Sequence, residues 1–199
     1  MPPKHIAPDR QAIEAMEPFE RLGLDQIHWI AEAGQADEAW NHLSQESVLG
    51  FDTESRPTFV RHQSSDGPHV VQLATRSAAY VFSLRDAHCT RTIANLLAKA
   101  EILKVGFGLG DDHKRIVAKL RIEPAGVIDL NQVFHQRGWR RDIGVKAAVA
   151  VTYGRRFIKS KKAATSNWST PRLSDAQLIY AANDAWAALR VYEALAKTD

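Results

Sequence analysis

The chain has 199 residues, 45% hydrophobic and 25% charged, with eleven Gly and eight Pro, the make-up of an ordinary globular domain. Its apolar runs of about five residues fall far short of the roughly 20 that a membrane helix needs, and a lone Cys89 excludes an intramolecular disulfide. The net charge of +3 conceals an asymmetry: residues 137–162 carry nine Lys/Arg against the single acid Asp142, so that window is +8 and the remainder −5. Such a band suits a polyanion, although a solvated face would carry the same charges. The amino terminus, Met1-Pro2-Pro3-Lys4-His5, lacks the apolar core of a secretion signal. The eight His show no zinc-like spacing. A cytoplasmic protein is expected.

In chain order, residues 1–24 are interrupted by proline and read as an arm with a short helix near 12–19, ahead of one domain over 25–199. Residues 26–31 read as a strand and 35–43 as a helix. Residues 47–53 form a near-continuous apolar strand stopped by Pro57. Residues 70–74 and 79–84 pair as a hairpin turned at Thr75-Arg76-Ser77. A helix over 90–100, a buried strand over 102–107 and a helix over 108–120 follow. A short strand at 127–130 and a helix at 143–151 precede a basic loop over 153–168. A long helix from 175 to 196 closes the chain, with Ser174 and Gln177 forming a capping box. The pattern predicts a single α/β domain, a mixed sheet flanked by helices.

Three places carry acids that a core would not choose. In Phe51-Asp52-Thr53-Glu54 the acids stand two apart on a strand, so both leave the same face and repel unless a cation lies between them. Magnesium or manganese, hard ions that take oxygen ligands, would remove that conflict; a solvated strand end is the bland alternative. At Asp111-Asp112, Asp112 shares the face of Leu109 and Ile116, while Asp111 points away and can pair with Arg115. Both acids could equally cap the helix and favour its dipole. In the closing helix, Tyr180 and Asp184 are neighbours one turn apart, beside the stripe Leu178, Ala182, Ala185, Leu189 and Tyr192. There the bland reading is a Tyr that packs and an Asp that pairs with a nearby Lys.

Together these segments resemble the ribonuclease D-like 3′–5′ exonucleases, the class with four acids and a tyrosine. Phe51-Asp52-Thr53-Glu54 matches the first motif and Lys104-Val105-Gly106-Phe107 leading to Asp112 the second. Tyr180-Ala181-Ala182-Asn183-Asp184-Ala185 matches the third. The stretches FDTESRPTF (51–59), VVQLAT (70–75), SKKAATSNW (160–168) and LSDAQLIYAANDAW (173–186) are similar to bacterial relatives of exonuclease 3′–5′ domain-containing protein 2.

The resemblance implies a ribonuclease H-like fold, two divalent cations (Mg²⁺ or Mn²⁺), and hydrolysis of single-stranded RNA or DNA from a free 3′ end. It further implies that Asp52, Glu54 and Asp184 hold one ion and that Asp52 bridges to the second, with Asp112 supporting it through waters. Tyr180 would orient the attacking water. Candidate substrate contacts are Thr53 and Arg56 beside the first motif, Phe107 as a platform for a terminal base, and Lys159, Lys161, Lys162, Ser166 and Trp168. Trp168 and Phe107 could instead be packing residues, and Arg56 a solvated one.

Two other readings compete. Gly106-Phe107-Gly108-Leu109-Gly110 followed by Asp129 invites a dinucleotide site, but the third glycine of that fingerprint falls at Asp111, an anion where pyrophosphate would approach. An inert nucleic-acid-binding module would lack some of the acids, and all are present. An enzyme restricted to very short oligonucleotides has the same motifs.

Overall fold

The computed structural model describes residues 6–57 and 66–197; the ends of the expected arm and domain, and Thr58 and Phe59 of the FDTESRPTF stretch, lie outside the described residues. In chain order the elements are α1 (Arg10–Glu14), a 3₁₀ turn (Leu24–Gln26), β1 (Ile27–Ile30), α2 (Ala33–Leu43), β2 (Val48–Glu54), β3 (Val70–Ala74) and β4 (Ala79–Ser83). There follow α3 (Ala87–Ala98), β5 (Leu103–Gly106), α4 (Gly110–Leu120), β6 (Val127–Asp129), α5 (Leu130–Gln136), α6 (Gly144–Tyr153), α7 (Lys161–Ala164) and α8 (Asp175–Ala196).

The six strands form one mixed sheet in the order β1-β4-β3-β2-β5-β6. β2, β3 and β4 pair antiparallel, while β1 joins β4, and β5 joins β2 and β6, in parallel. The expected α/β domain with helices on both faces is the architecture found.

The strand period of two sorts the residues of β2. Leu49 and Phe51 pack with Val71, Leu73 and Phe82 against α2 and α3. Gly50 faces α8 so closely that a Cβ there would lie 2.0 Å from the Ala185 carbonyl oxygen. Asp52 and Glu54 share the parity of Gly50 and therefore look toward α8. Burying Leu49 and Phe51 contributes on the order of 1.5–3 kcal/mol each, which anchors the register that aims the acids.

Helix α8 departs from the expected stripe. Every residue from Tyr180 to Leu189 is buried, so the helix is covered all round rather than along one side. Helices α6 and α7 and the arm supply the cover: Ala148, Val149 and Ala163 join the same core, Phe19 and Leu22 are buried beside α8, and the Leu22 backbone exchanges hydrogen bonds with the Asn183 amide (2.8 and 3.3 Å). The rings of Phe19 and Trp186 approach to 5.7 Å.

Other differences have local causes. The arm helix is Arg10–Glu14, capped by Asp9, and the chain extends before Pro18, which forms a bridge with Arg156. Helix α5 has seven residues, too few to show a helical period, and starts where the Asp129 side chain accepts from the Asn131 backbone (2.9 Å). Within the expected basic loop, Ser160 caps the single turn α7. Among the described residues, no helix is long and apolar enough to cross a membrane.

Candidate active site

The end of β2 delivers Asp52 and Glu54, and the middle of α8 delivers Asp184. Ligand oxygens of the three carboxylates all lie within 4.8 Å of one another. Such proximity is costly in a buried setting. Burial first, and then the charges of the neighbouring acids, push the Asp52 carboxyl up to about 8 and the Glu54 carboxyl up to about 9. Burial likewise raises Asp184, whose side chain is 4% exposed.

The donor set fits a hard divalent cation. Oδ1 of Asp184 is buried with no hydrogen-bond partner among the described residues, and carboxylates are the ligands that magnesium and manganese prefer. Three acids at this spacing are able to hold a metal ion.

Lys159 supplies the cation that the cluster has of its own. Its ammonium forms an ion pair with Oδ2 of Asp184 and stands 4.8 Å from the centroid of the Tyr180 ring. Expected along the path of a substrate, it has its ammonium turned onto Asp184. The bland reading of Tyr180 and Asp184, packing and pairing with a nearby Lys, is therefore realised inside the acid cluster itself. The Tyr180 ring packs on Trp168 (centroids 5.8 Å), and its hydroxyl is made less acidic by burial and then by Asp184.

Asp112 comes from the first turn of α4, on the other side of β2. Its Oδ1 accepts from the Thr53 hydroxyl (2.8 Å), so Asp112 lies close to the three acids but outside their group. The Asp112 side chain is 18% exposed and Asp111 is 81% exposed, as the helix-face argument required. The pairing differs, however: Asp111 approaches Lys114 (3.7 Å), and Arg115 approaches Asp112 (3.9 Å). Burial raises the Asp112 carboxyl.

The remaining candidates scatter. Trp168 is 1% exposed, a core residue with no face for a substrate, so its expected contact is corrected to packing against Tyr180. The Ser166 hydroxyl donates to the Ala163 carbonyl (2.7 Å) and closes α7. Phe107 is half-buried and stacked on Phe134 (6.4 Å). Arg56 is exposed and paired with Asp66 (3.1 Å). Lys161 and Lys162 are exposed on α7.

The glycine segment is explained without a cofactor. A Cβ on Gly106 would lie 2.3 Å from the Phe51 carbonyl oxygen, and the Asp129 carboxylate accepts from the Gly108 and Leu109 backbone (3.1 and 2.9 Å).

One residue escaped attention in the sequence. Gln72 lies opposite Asp52 on β3, is fully buried, and has neither amide atom hydrogen-bonded among the described residues. It appeared there only as one letter of an apolar strand, and a single polar residue in such a run carries no periodic pattern.

Comparison with known proteins places this arrangement. A family model described as 3′-5′ exonuclease matches residues 27–198. The mouse (Mus musculus) bifunctional 3′-5′ exonuclease/ATP-dependent helicase WRN is 26% identical over 155 residues, 77% of this chain and 11% of that protein. Human (Homo sapiens) exonuclease 3′-5′ domain-containing protein 2 is 29% identical over 162 residues, 76% of this chain and 25% of that protein. The chain thus spans a minor part of these relatives. The crystal structure of Trypanosoma brucei RNase D superposes with a TM-score of 0.76 at 21% identity, covering 85% of this chain and 64% of that one. The same enzyme in complex with RNA U12 gives 0.75 at 22% identity, over 93% and 64%. The fold is that of RNase D, and the chain belongs to the 3′–5′ exonuclease family, a family of nucleases.

Proposed function

We propose that this chain hydrolyses phosphodiester bonds one at a time from the 3′ end of single-stranded nucleic acid, releasing nucleoside 5′-monophosphates. The observation that carries the reading is the convergence of Asp52, Glu54 and Asp184 from β2 and α8 within 4.8 Å. The fold shared with an RNase D that binds RNA U12 favours RNA as the first substrate to test. Two divalent cations, Mg²⁺ or Mn²⁺, held by Asp52, Glu54 and Asp184 with Asp112 in support, would acidify the attacking water and neutralise charge on the scissile phosphate.

The chain's own groups do the rest. Tyr180 stays protonated because burial and Asp184 make its hydroxyl less acidic, so it offers both a donor and a lone pair to orient the water. Lys159 ties the Asp184 carboxylate and the Tyr180 ring into one unit, which sets the hydroxyl relative to the acids. Thr53 fixes the Asp112 carboxylate through its hydroxyl. Lys161 and Lys162 offer exposed charge to phosphates, Arg56 offers the same by exchanging away from Asp66, and Phe107 offers a ring edge to a terminal base. In the reaction the water oxygen gives up a proton to solvent and bonds phosphorus, the bond from phosphorus to the 3′ oxygen breaks, and that oxygen takes up a proton from solvent and leaves as the 3′ hydroxyl of the shortened strand.

The test is a panel of 3′- and 5′-labelled RNA and DNA, single- and double-stranded, with Mg²⁺, Mn²⁺ or excess EDTA. Stepwise loss from the 3′ end that EDTA abolishes supports the reading. Full activity in EDTA, or internal cleavage, would falsify it.

A further inference from the structure

A groove of about 620 Å³ opens between the arm helix α1, the start of α6 and residues 156–161. Arg10, Lys146, Arg156 and Lys161 line it, with one acid, Glu14. That acid is already taken: Arg10 Nε donates to Glu14 Oε1 (2.6 Å). Its carboxyl is held below the usual range by Arg10 first, with Arg156 and Lys146 contributing, so these cations converge on one place. Nε of Arg156 is buried with no hydrogen-bond partner among the described residues.

The same groove has apolar walls. Ile13 and Phe157 contribute, and Ile158 is 52% exposed, one of few large hydrophobic residues so placed among the described residues. Cations interleaved with apolar surface match a single nucleic-acid strand, whose phosphates need charge and whose sugars and bases need contact area. Lys159 connects the groove with the acids, since its side chain lines the first and its ammonium touches Asp184.

The position of α1 adds a second argument. The helix buries no residue of its own, so the core does not demand it. It is instead held over the groove through the following chain, where Arg156 and Glu17 are joined by a backbone hydrogen bond (2.8 Å) and Phe19 donates to the Arg156 carbonyl (2.9 Å). One residue, Arg156, therefore both lines the groove and seats the arm.

We propose that this groove holds the single strand immediately 5′ of the nucleotide being removed, with α1 as one of its walls. The inference rests on the exonuclease reading, because a terminus engaged at the acids leaves only the 5′ side of the polymer to continue outward.

The experiment is fluorescence anisotropy with a labelled single-stranded RNA of about twelve nucleotides, within the length such sites take, measured in EDTA across a salt series. Wild type is compared with Arg10→Ala/Lys146→Ala and with Arg140→Ala/Arg141→Ala, exposed cations of the same basic band outside the groove. The groove pair is expected to flatten the slope of log affinity against log salt by about 1.4, roughly 0.7 per phosphate contact. By the same relation its affinity falls about 25-fold near 0.1 M salt, relative to 1 M. The Arg140/Arg141 pair should match wild type. Equal losses in both pairs, or an unchanged slope in the groove pair with an unchanged thermal melt, would overturn the assignment. If the wild type neither cleaves nor binds any strand, the exonuclease reading has failed instead; cleavage with an indifferent groove pair rejects the groove alone.

Discussion

The acid cluster and the arm-side groove lie next to each other and use charge in opposite ways. In the cluster, three carboxylates are crowded together, Asp184 buried and Asp52 and Glu54 half-buried, so their repulsion is strong and is balanced by single, specific contacts such as the Lys159 ammonium on Asp184. In the groove the cations at Arg10, Lys146 and Lys161 face solvent, where salt screens each of them and their effects add. A change of one atom should therefore be decisive in the cluster, whereas the groove should respond by degrees.

The sharpest way to break that contrast is Asp52→Asn. It keeps the shape but removes a carboxylate oxygen that would hold the metal ions at the centre of the cluster, and turnover is expected to fall by about a thousandfold, the scale of losing a principal electrostatic element of a site. Circular dichroism should show an unchanged fold. Turnover within tenfold of wild type would mean that the cluster is not where the chemistry happens.

Tyr180→Phe comes next. The ring still packs on Trp168, but the hydroxyl is gone, and turnover should drop about a hundredfold, the range for one positioned proton-handling group. Calorimetric affinity for Mn²⁺ should barely move. A normal rate would reduce Tyr180 to packing.

The third comparison separates neighbours in sequence. Asp112→Asn should lower turnover about tenfold or more, because it changes a half-buried carboxylate held by Thr53. Asp111→Asn, on an exposed side chain, should be nearly silent. Equal losses would show that the inward face of α4 has no special role.

The last comparison concerns stability against pH rather than turnover. The folded chain holds Asp52 and Glu54 protonated up to about 8 and about 9, well above an unfolded carboxyl. Between roughly pH 4 and those values the folded state binds more protons than the unfolded state, so stability falls as pH rises through the window. Melting temperature without metal should decline from about pH 5 to about pH 9, more steeply in Lys159→Met, which removes the opposing cation. Mn²⁺ should restore it, most strongly at the alkaline end. A melting temperature indifferent to pH, metal and Lys159 would show that the acids are already compensated, as surface charges are.

Much of this could be read from the chain alone, and the parts that could share a cause. Asp52 and Glu54 two apart on a strand, Tyr180 and Asp184 one turn apart on a helix, and Asp112 rather than Asp111 on the inner side are statements about faces. A face follows from backbone period, which a few neighbouring residues determine. The Ser174–Gln177 box at the start of α8 is local in the same sense.

What only the tertiary structure decided is which faces meet and what covers them. Lys159 reaches Asp184 across 25 positions, Thr53 reaches Asp112 across 59, and Leu22 clasps Asn183 across 161. None of these pairs leaves a trace in local pattern, because each depends on helices and strands stacking at one relative position. The same holds for α8, where α6, α7 and the arm together convert an expected amphipathic helix into one buried all round. It holds for Trp168 too, whose aromatic ring suits a nucleobase or a core equally well until packing assigns it to the core. Composition and period thus specified which groups could point together, and long-range packing, through burial and the exclusion of water, selected the ones that do.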